Sequence, residues 1–130
     1  MYHEIIPNLY LGNRLSTSFS KEIGVNFIIS IGSQSQDQTI ENLHIGLRDD
    51  NTLNISKELD QITALIDNLL ENNKTILVHC KAGINRSPSF VLAYLCKYKN
   101  MSIDDGLIFI LNKRKICKFA FKEHVRQWLN

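Results

Sequence analysis

The stretch that decides the fold reads His79-Cys80-Lys81-Ala82-Gly83-Ile84-Asn85-Arg86-Ser87-Pro88. It follows a short apolar run ending at His79, which is typical of a central β-strand. A helix-like stretch from Pro88 to Lys99 comes after it. A tight loop between strand and helix turns its backbone N–H groups inward, and with the helix N-terminus they form an anion site. The stretch therefore predicts an anion-binding loop at the carboxyl end of a strand.

Three residue types in this loop suit one kind of chemistry. Gly83 allows a backbone turn that a Cβ would hinder, and Arg86 brings a planar fork to two oxygens of a phosphate. The same positive environment is expected to lower the pKa of Cys80 and to populate its thiolate. One loop would thus activate a nucleophile and bind the group that it attacks. A buried core cysteine beside a surface arginine is the weaker interpretation of the full string.

A candidate proton donor precedes the loop. The leaving oxygen of a phosphorylated side chain needs a proton, and a carboxylic acid on a nearby loop can supply it. Asp49 and Asp50 follow a predicted strand at Leu43–Leu47. From the residues alone, a pair of solvated loop aspartates is an equally good interpretation.

Alternating helix and strand patterns predict an α/β fold, with a central, mostly parallel twisted sheet of four to five strands flanked by helices. Strand patterns lie at 9–11, 25–31, 43–47 and 75–79, and helix patterns lie at 59–69, 88–99, 102–113 and 121–129. No linker or repeat interrupts them, so we expect a single domain over residues 1–130. Binding sites in such folds lie at the carboxyl ends of the strands.

Composition narrows the class of protein. The chain has 130 residues, 44% of them hydrophobic, and a net charge of +2, which is too weak to imply nucleic-acid binding by itself. Its three cysteines, Cys80, Cys96 and Cys117, do not suggest a disulfide framework and favour a reducing compartment. The sequence has neither a signal-like segment nor an apolar stretch of membrane-spanning length, so the expected location is the cytoplasm. A nuclear location is also compatible with this pattern. The basic run Lys113, Arg114, Lys115, Lys118 and Lys122 is interpreted as a solvated face.

The string H-C-K-A-G-I-N-R-S strongly resembles the signature of the cysteine-dependent protein tyrosine phosphatase superfamily, and the rest of the chain resembles its dual-specificity branch. Ile6 to Gly12 looks like that family's opening strand. Ile45 to Asp49 resembles its strand and acid loop, and Asn54-Ile55-Ser56 resembles the start of the following helix. The resemblance runs over nearly the whole chain and implies a compact tyrosine-phosphatase-like fold.

The resemblance also assigns roles. Cys80 would form the phosphocysteine intermediate, and Ser87 would offer its hydroxyl to the sulfur as it leaves. His79 would help to hold the loop and the thiolate, and Asp49 takes the general-acid position, five residues before Asn54, in preference to Asp50. The phosphoryl oxygens would be held by Lys81, Ala82, Gly83, Ile84, Asn85 and Arg86. Neither a metal nor a cofactor is implied.

The expected substrate is a phosphorylated protein, with hydrolysis of phosphotyrosine and of phosphoserine or phosphothreonine in a shallow pocket. Two other substrates remain open. The loop residues Gly83 to Arg86 resemble those of a branch that acts on RNA 5′-phosphates. Lys81 resembles a loop lysine of the phosphoinositide phosphatases, although Ile84 stands where those enzymes are expected to have a second lysine. A non-catalytic module that only binds phosphoproteins is a third interpretation, disfavoured because Cys80, Arg86 and Asp49 occur together. The oligomeric state stays open.

Overall fold

The computed structural model describes residues 1–48, 50 and 52–130. Within these ranges five strands form one sheet in the order β1-β2-β5-β3-β4. The strands are β1 (Tyr2–Ile6), β2 (Leu9–Gly12), β3 (Phe27–Ile31), β4 (Glu41–Ile45) and β5 (Ile76–His79). Only β1 runs antiparallel to its neighbour, and the other pairs are parallel. The predicted mostly parallel sheet is confirmed.

Helices pack around this sheet. A 3₁₀ helix spans Arg14–Phe19, and the α-helices are α1 (Ser20–Ile23), α2 (Ser56–Glu71), α3 (Arg86–Tyr98), α4 (Ile103–Lys113) and α5 (Lys122–Leu129). Among the described residues, none of these helices has the length and apolarity needed to cross a bilayer. The four helices expected from the sequence pattern are therefore all present.

The central helix α3 is the hub of the core. Every residue from Ser87 to Cys96 is buried, since α3 contacts the sheet, α2, α4 and α5. The helix begins at Arg86, two residues before the predicted start, and Pro88 stands in its first turn, where the missing N–H costs no helical hydrogen bond. Burying one large apolar side chain such as Phe90 contributes about 1.5–3 kcal/mol. Because α3 begins at Arg86, directly after the loop, the N-terminus of this firmly packed helix adjoins the loop.

Three strands differ from the sequence expectation: β3 begins at Phe27 rather than at position 25, β4 lies two residues earlier than predicted, and β1 is not predicted. Strand β1 has no counterpart in the predicted pattern, because it is an edge strand with Ile5 as its only fully buried residue and gives no clear apolar period. Strand β4 ends at Ile45 rather than Leu47, since it pairs only as far as β3 extends, and β3 ends at Ile31 before Gly32. Leu47 therefore lies in the loop that leaves the sheet.

Strand β5 lies in the middle of the sheet and carries the loop at its carboxyl end. Its last residue, His79, lies level with Gly12 of β2 on one side and with Ser30 of β3 on the other. The segment that follows is thus surrounded by the ends of parallel strands, where α/β folds place their ligands.

Candidate active site

The sulfur of Cys80 lies at the base of the loop between β5 and α3. Ser87 Oγ lies 3.1 Å from it, and the backbone N–H of Gly83 donates to it at 3.2 Å. Only 2% of Cys80 is exposed. The loop turns at Gly83, whose φ of +69° suits glycine, and a Cβ there would lie 2.5 Å from the carbonyl oxygen of Gly12.

The carbonyl groups of the loop are bonded to other segments on its outer side. Lys81 O accepts from Arg14 N at 3.1 Å, Ala82 O from Arg114 Nη2 at 3.3 Å, Gly83 O from Arg114 Nε at 2.9 Å, Ile84 O from Lys118 N at 2.8 Å and Asn85 O from Ala120 N at 3.3 Å. In a planar trans peptide the N–H points opposite to the C=O. The N–H groups of residues 82 to 86 are therefore directed toward the inner side, where one of them reaches the sulfur.

Arg86 connects the loop to the segment after β4. Its Nη1 donates to the backbone carbonyl of Leu47 at 3.1 Å. Its Nε is buried and has no hydrogen-bond partner among the described residues. A guanidinium N–H that is buried without an acceptor is expensive, so this nitrogen is available to an oxyanion in the loop.

His79 is fully buried, and its ring lies within hydrogen-bond distance of two oxygen atoms. Its Nδ1 lies 3.3 Å from the carbonyl oxygen of Cys80, and its Nε2 lies 2.7 Å from Ser30 Oγ. Burial lowers the pKa of His79 to about 4, against a smaller opposing effect of the Cys80 carbonyl, so the ring is neutral at pH 7. A neutral ring that donates from Nδ1 must accept at Nε2, and the Ser30 hydroxyl therefore donates to it. His79 thus fixes the carbonyl of Cys80.

The electrostatics of the loop favour the thiolate of Cys80. Burial alone raises the pKa of this thiol, but hydrogen bonds from Ser87 and from the Gly83 N–H, together with the charge of Arg86, bring it below its ordinary value. Cys96 shows the contrast, because burial without such donors raises its pKa to about 11. The site therefore holds one activated thiol, with hydrogen-bond donors at its sulfur.

Comparison with known proteins identifies the family of the chain. The family model for the dual specificity phosphatase catalytic domain matches residues 9–130. The chain belongs to the dual specificity phosphatases. It is a protein phosphatase; the family implies phosphoprotein substrates, and the cysteinyl-phosphate mechanism is general to that family.

Relatives of this dual specificity phosphatase include viral proteins. The 123R protein of Invertebrate iridescent virus 6, named as a tyrosine phosphatase, is 34% identical over 98% of this chain and 93% of its own length. The dual specificity protein phosphatase OPG106 of Vaccinia virus is 33% identical over 92% of this chain and 74% of its own. A crystal structure of the human tyrosine phosphatase-like serine/threonine/tyrosine-interacting protein superposes with a TM-score of 0.91, covers 98% of this chain and 95% of that chain, and at 24% identity shows the shared fold.

Of the two candidate general acids of the phosphatase, the structure describes only Asp50. Asp49 lies outside the described residues. Asp50 is described, and its carboxylate accepts from both the N–H and the hydroxyl of Thr52, at 3.0 and 2.7 Å. These bonds, with a smaller contribution from Arg48, lower the pKa of Asp50. A carboxyl group held in its ionised form is a poor proton donor at neutral pH.

One residue of the phosphatase contradicts its sequence interpretation. The basic run predicts a solvated position for Arg114, yet only 1% of it is exposed, and it bonds to two carbonyls of the loop. The other cations of that run are exposed or half-buried. A signal exists in the sequence, since Arg114 continues the buried stripe of Ile103, Gly106 and Ile110 at helical spacing.

Proposed function

We propose that this phosphatase hydrolyses phosphotyrosine and, more slowly, phosphoserine and phosphothreonine, with Cys80 as the nucleophile. The observation that carries the assignment is the sulfur of Cys80 within 3.2 Å of both Ser87 Oγ and the Gly83 N–H, inside a loop whose carbonyls are bonded outward. That environment supports a thiolate facing the space where a phosphoryl group would bind.

In the first step the thiolate of Cys80 attacks phosphorus. The S–P bond forms as the P–O bond to the substrate breaks, and the leaving oxygen takes a proton from Asp49. The inward N–H groups and the Nε of Arg86 bind the equatorial oxygens, where the negative charge is spread in the transition state. The lowered pKa and existing hydrogen bonds of Asp50 favour Asp49 for the proton transfer.

In the second step water replaces the sulfur. Asp49, now a carboxylate, takes a proton from the water as its oxygen bonds to phosphorus. The S–P bond breaks and its electron pair returns to Cys80 as a thiolate. Ser87 donates a hydrogen bond to this sulfur and lowers the cost of its departure, which is consistent with the 3.1 Å separation.

The decisive experiment compares the wild type with Cys80→Ser on a substrate panel. Peptides with phosphotyrosine, phosphoserine or phosphothreonine are run beside an RNA 5′-triphosphate and inositol lipid phosphates. Cys80→Ser should lose turnover but still bind the phosphotyrosine peptide. Cys96→Ser is the matched control, because Cys96 is a buried thiol outside the loop, and it should keep its activity.

Each result of the panel has a distinct meaning. Turnover by Cys80→Ser would contradict the nucleophile assignment. Faster hydrolysis of the RNA or lipid substrate would replace the proposed substrate class while leaving the nucleophile in place. Binding of phosphopeptides by the wild type without turnover would identify a non-catalytic module. The cytoplasmic location stays a prediction.

A further inference from the structure

Arg114 is the most deeply buried charge in the described part of the chain, and no step of the proposed reaction uses it. It stands at the C-terminal cap of α4, far along the chain from the loop. It forms no ion pair with a described carboxylate. Burying a guanidinium without an anionic partner costs several kcal/mol. Its surroundings must therefore offset that cost in another way.

The compensating contacts come from the loop and from β1. Arg114 Nε donates to Gly83 O at 2.9 Å, and Nη2 donates to Ala82 O at 3.3 Å. Nη1 lies 3.0 Å from His3 Nδ1, and since arginine only donates, this nitrogen of His3 is the acceptor. The three nitrogens of the guanidinium therefore contact two consecutive loop carbonyls and His3 of the edge strand β1.

Peptide geometry carries the effect of these contacts to the inner side of the loop. The carbonyl of Ala82 and the N–H of Gly83 belong to one rigid plane and point in opposite directions. Arg114 holds the carbonyl end of this plane, and the N–H end donates to Cys80 Sγ at 3.2 Å. The next plane repeats the arrangement, with Gly83 O on Arg114 and the N–H of Ile84 directed inward.

We propose that Arg114 is a positioning residue of this phosphatase, which orients the N–H groups of Gly83 and Ile84 toward the sulfur and the phosphoryl oxygens and adds its positive charge on the outer side of the loop. The inference rests on the proposed role of Cys80. Burial lowers the pKa of Arg114, and the thiolate of Cys80 opposes that shift; the attraction between the two charges is mutual. Arg114 therefore favours the thiolate as well as the loop conformation.

The test uses Arg114→Met, which removes the charge and the donors but keeps an extended stem. Arg114→Lys keeps the charge and loses the fork. Lys115→Met, at the exposed neighbouring position, is the matched control. Three quantities are measured: kcat and KM on an aryl phosphate, the inhibition constant of vanadate, and the pH profile of iodoacetamide alkylation at Cys80, followed by mass spectrometry.

For Arg114→Met we expect kcat/KM to fall about 100-fold, as for a small misplacement of reacting groups. The inhibition constant of vanadate should rise at least about tenfold, because the loop donors are misplaced. The alkylation profile of Cys80 should move to higher pH. Arg114→Lys should recover most of the alkylation profile, which depends on charge, but less of the vanadate affinity, which depends on the fork. Lys115→Met should match the wild type in all three measurements.

A purely structural role would give a different pattern. Both Arg114 variants would then melt at a lower temperature while the folded protein kept the wild-type alkylation profile and vanadate affinity, and this result would overturn the proposal. If Arg114→Met does not fold, Arg114→Lys and His3→Ala carry the same measurements, since His3→Ala loosens the fork without touching the loop. Turnover by Cys80→Ser would instead refute the proposed mechanism, so the two failures are distinguishable.

Discussion

Arg86 Nη1 donates a hydrogen bond to the carbonyl oxygen of Leu47 at 3.1 Å, which joins the phosphate-binding loop to the segment that enters the acid loop. Leu47 offers this carbonyl because β4 has already ended at Ile45. The guanidinium passes next to Gly32, where a Cβ would lie 2.0 Å from Nη1 and 2.3 Å from Leu47 O. The position of the arginine thus depends on a residue with no side chain at the end of β3.

Gly32→Ala should displace Arg86 and weaken oxyanion binding. The expected loss in kcat/KM is about 100-fold, with a stability cost of about 1–3 kcal/mol because the φ of +75° is strained for alanine. Steady-state kinetics and urea unfolding measure both. Gly24→Ala is the control, since Gly24 has a φ of +82° but open space around its Cβ position. It should lose stability and keep activity; equal losses of activity in both variants would refute the crowding explanation.

Asp49→Ala should slow substrates with poor leaving groups far more than aryl phosphates with good ones. General acid catalysis contributes about 10²–10⁴-fold, and a good leaving group does not need it. The comparison is made with a phosphoserine peptide and p-nitrophenyl phosphate. Asp50→Ala should change neither substrate by more than a few-fold, because its carboxylate is occupied by Thr52. The reverse pattern would make Asp50 the acid.

Ser87→Ala should move the acid limb of the kcat/KM profile to higher pH. The pKa of Cys80 is lowered against the effect of burial, with Ser87 as the strongest opposing contact, so losing the hydroxyl leaves less thiolate at a given pH. The thiolate is populated above the pKa, and activity is lost as the pH falls through it. The serine control is Ser102→Ala, which removes the N-cap of α4 and costs about 1 kcal/mol of stability without touching the site. An unshifted profile in Ser87→Ala would contradict the contact.

Acid should destabilise the fold through His79. Its pKa is about 4 in the folded protein against 6.5 for an ordinary histidine, so between these pH values the unfolded chain binds more protons. The free energy of unfolding therefore falls as the pH is lowered from 6.5 to 4, by about 3 kcal/mol from this group. Urea unfolding at pH 7.5 and pH 4.5 should show a smaller difference for His79→Gln than for the wild type. Equal differences would mean that His79 does not bear the acid sensitivity.

Much of the fold follows from local patterns. Helix α2 matches an apolar period of three and four residues, α3 follows an apolar run after Pro88, and β5 is a short apolar run before a conspicuous loop. Strand β1 cannot be found this way, because a mostly exposed edge strand has little apolar period. The end of β4 also differs from the prediction, since strand ends depend on the length of the partner strand rather than on local composition.

Some residues of the site could be predicted from the sequence, and others could not. Cys80, Arg86 and Ser87 stand close together in the chain, so their type and spacing are enough to predict a phosphate loop. The sequence interpretation of Arg114 is wrong because a basic run resembles a solvated face, and only its burial distinguishes it from Lys113 and Lys115.

The sequence by itself determined the chemistry: a cysteine and an arginine held in one short loop between a strand and a helix, where local backbone geometry brings them together. Only the tertiary structure decided how that loop is held. Its carbonyls are bonded by residues 14, 114, 118 and 120, which are distant in the chain. The physical reason is that a loop of this length cannot satisfy its outward carbonyls alone, so packed neighbours must supply the donors.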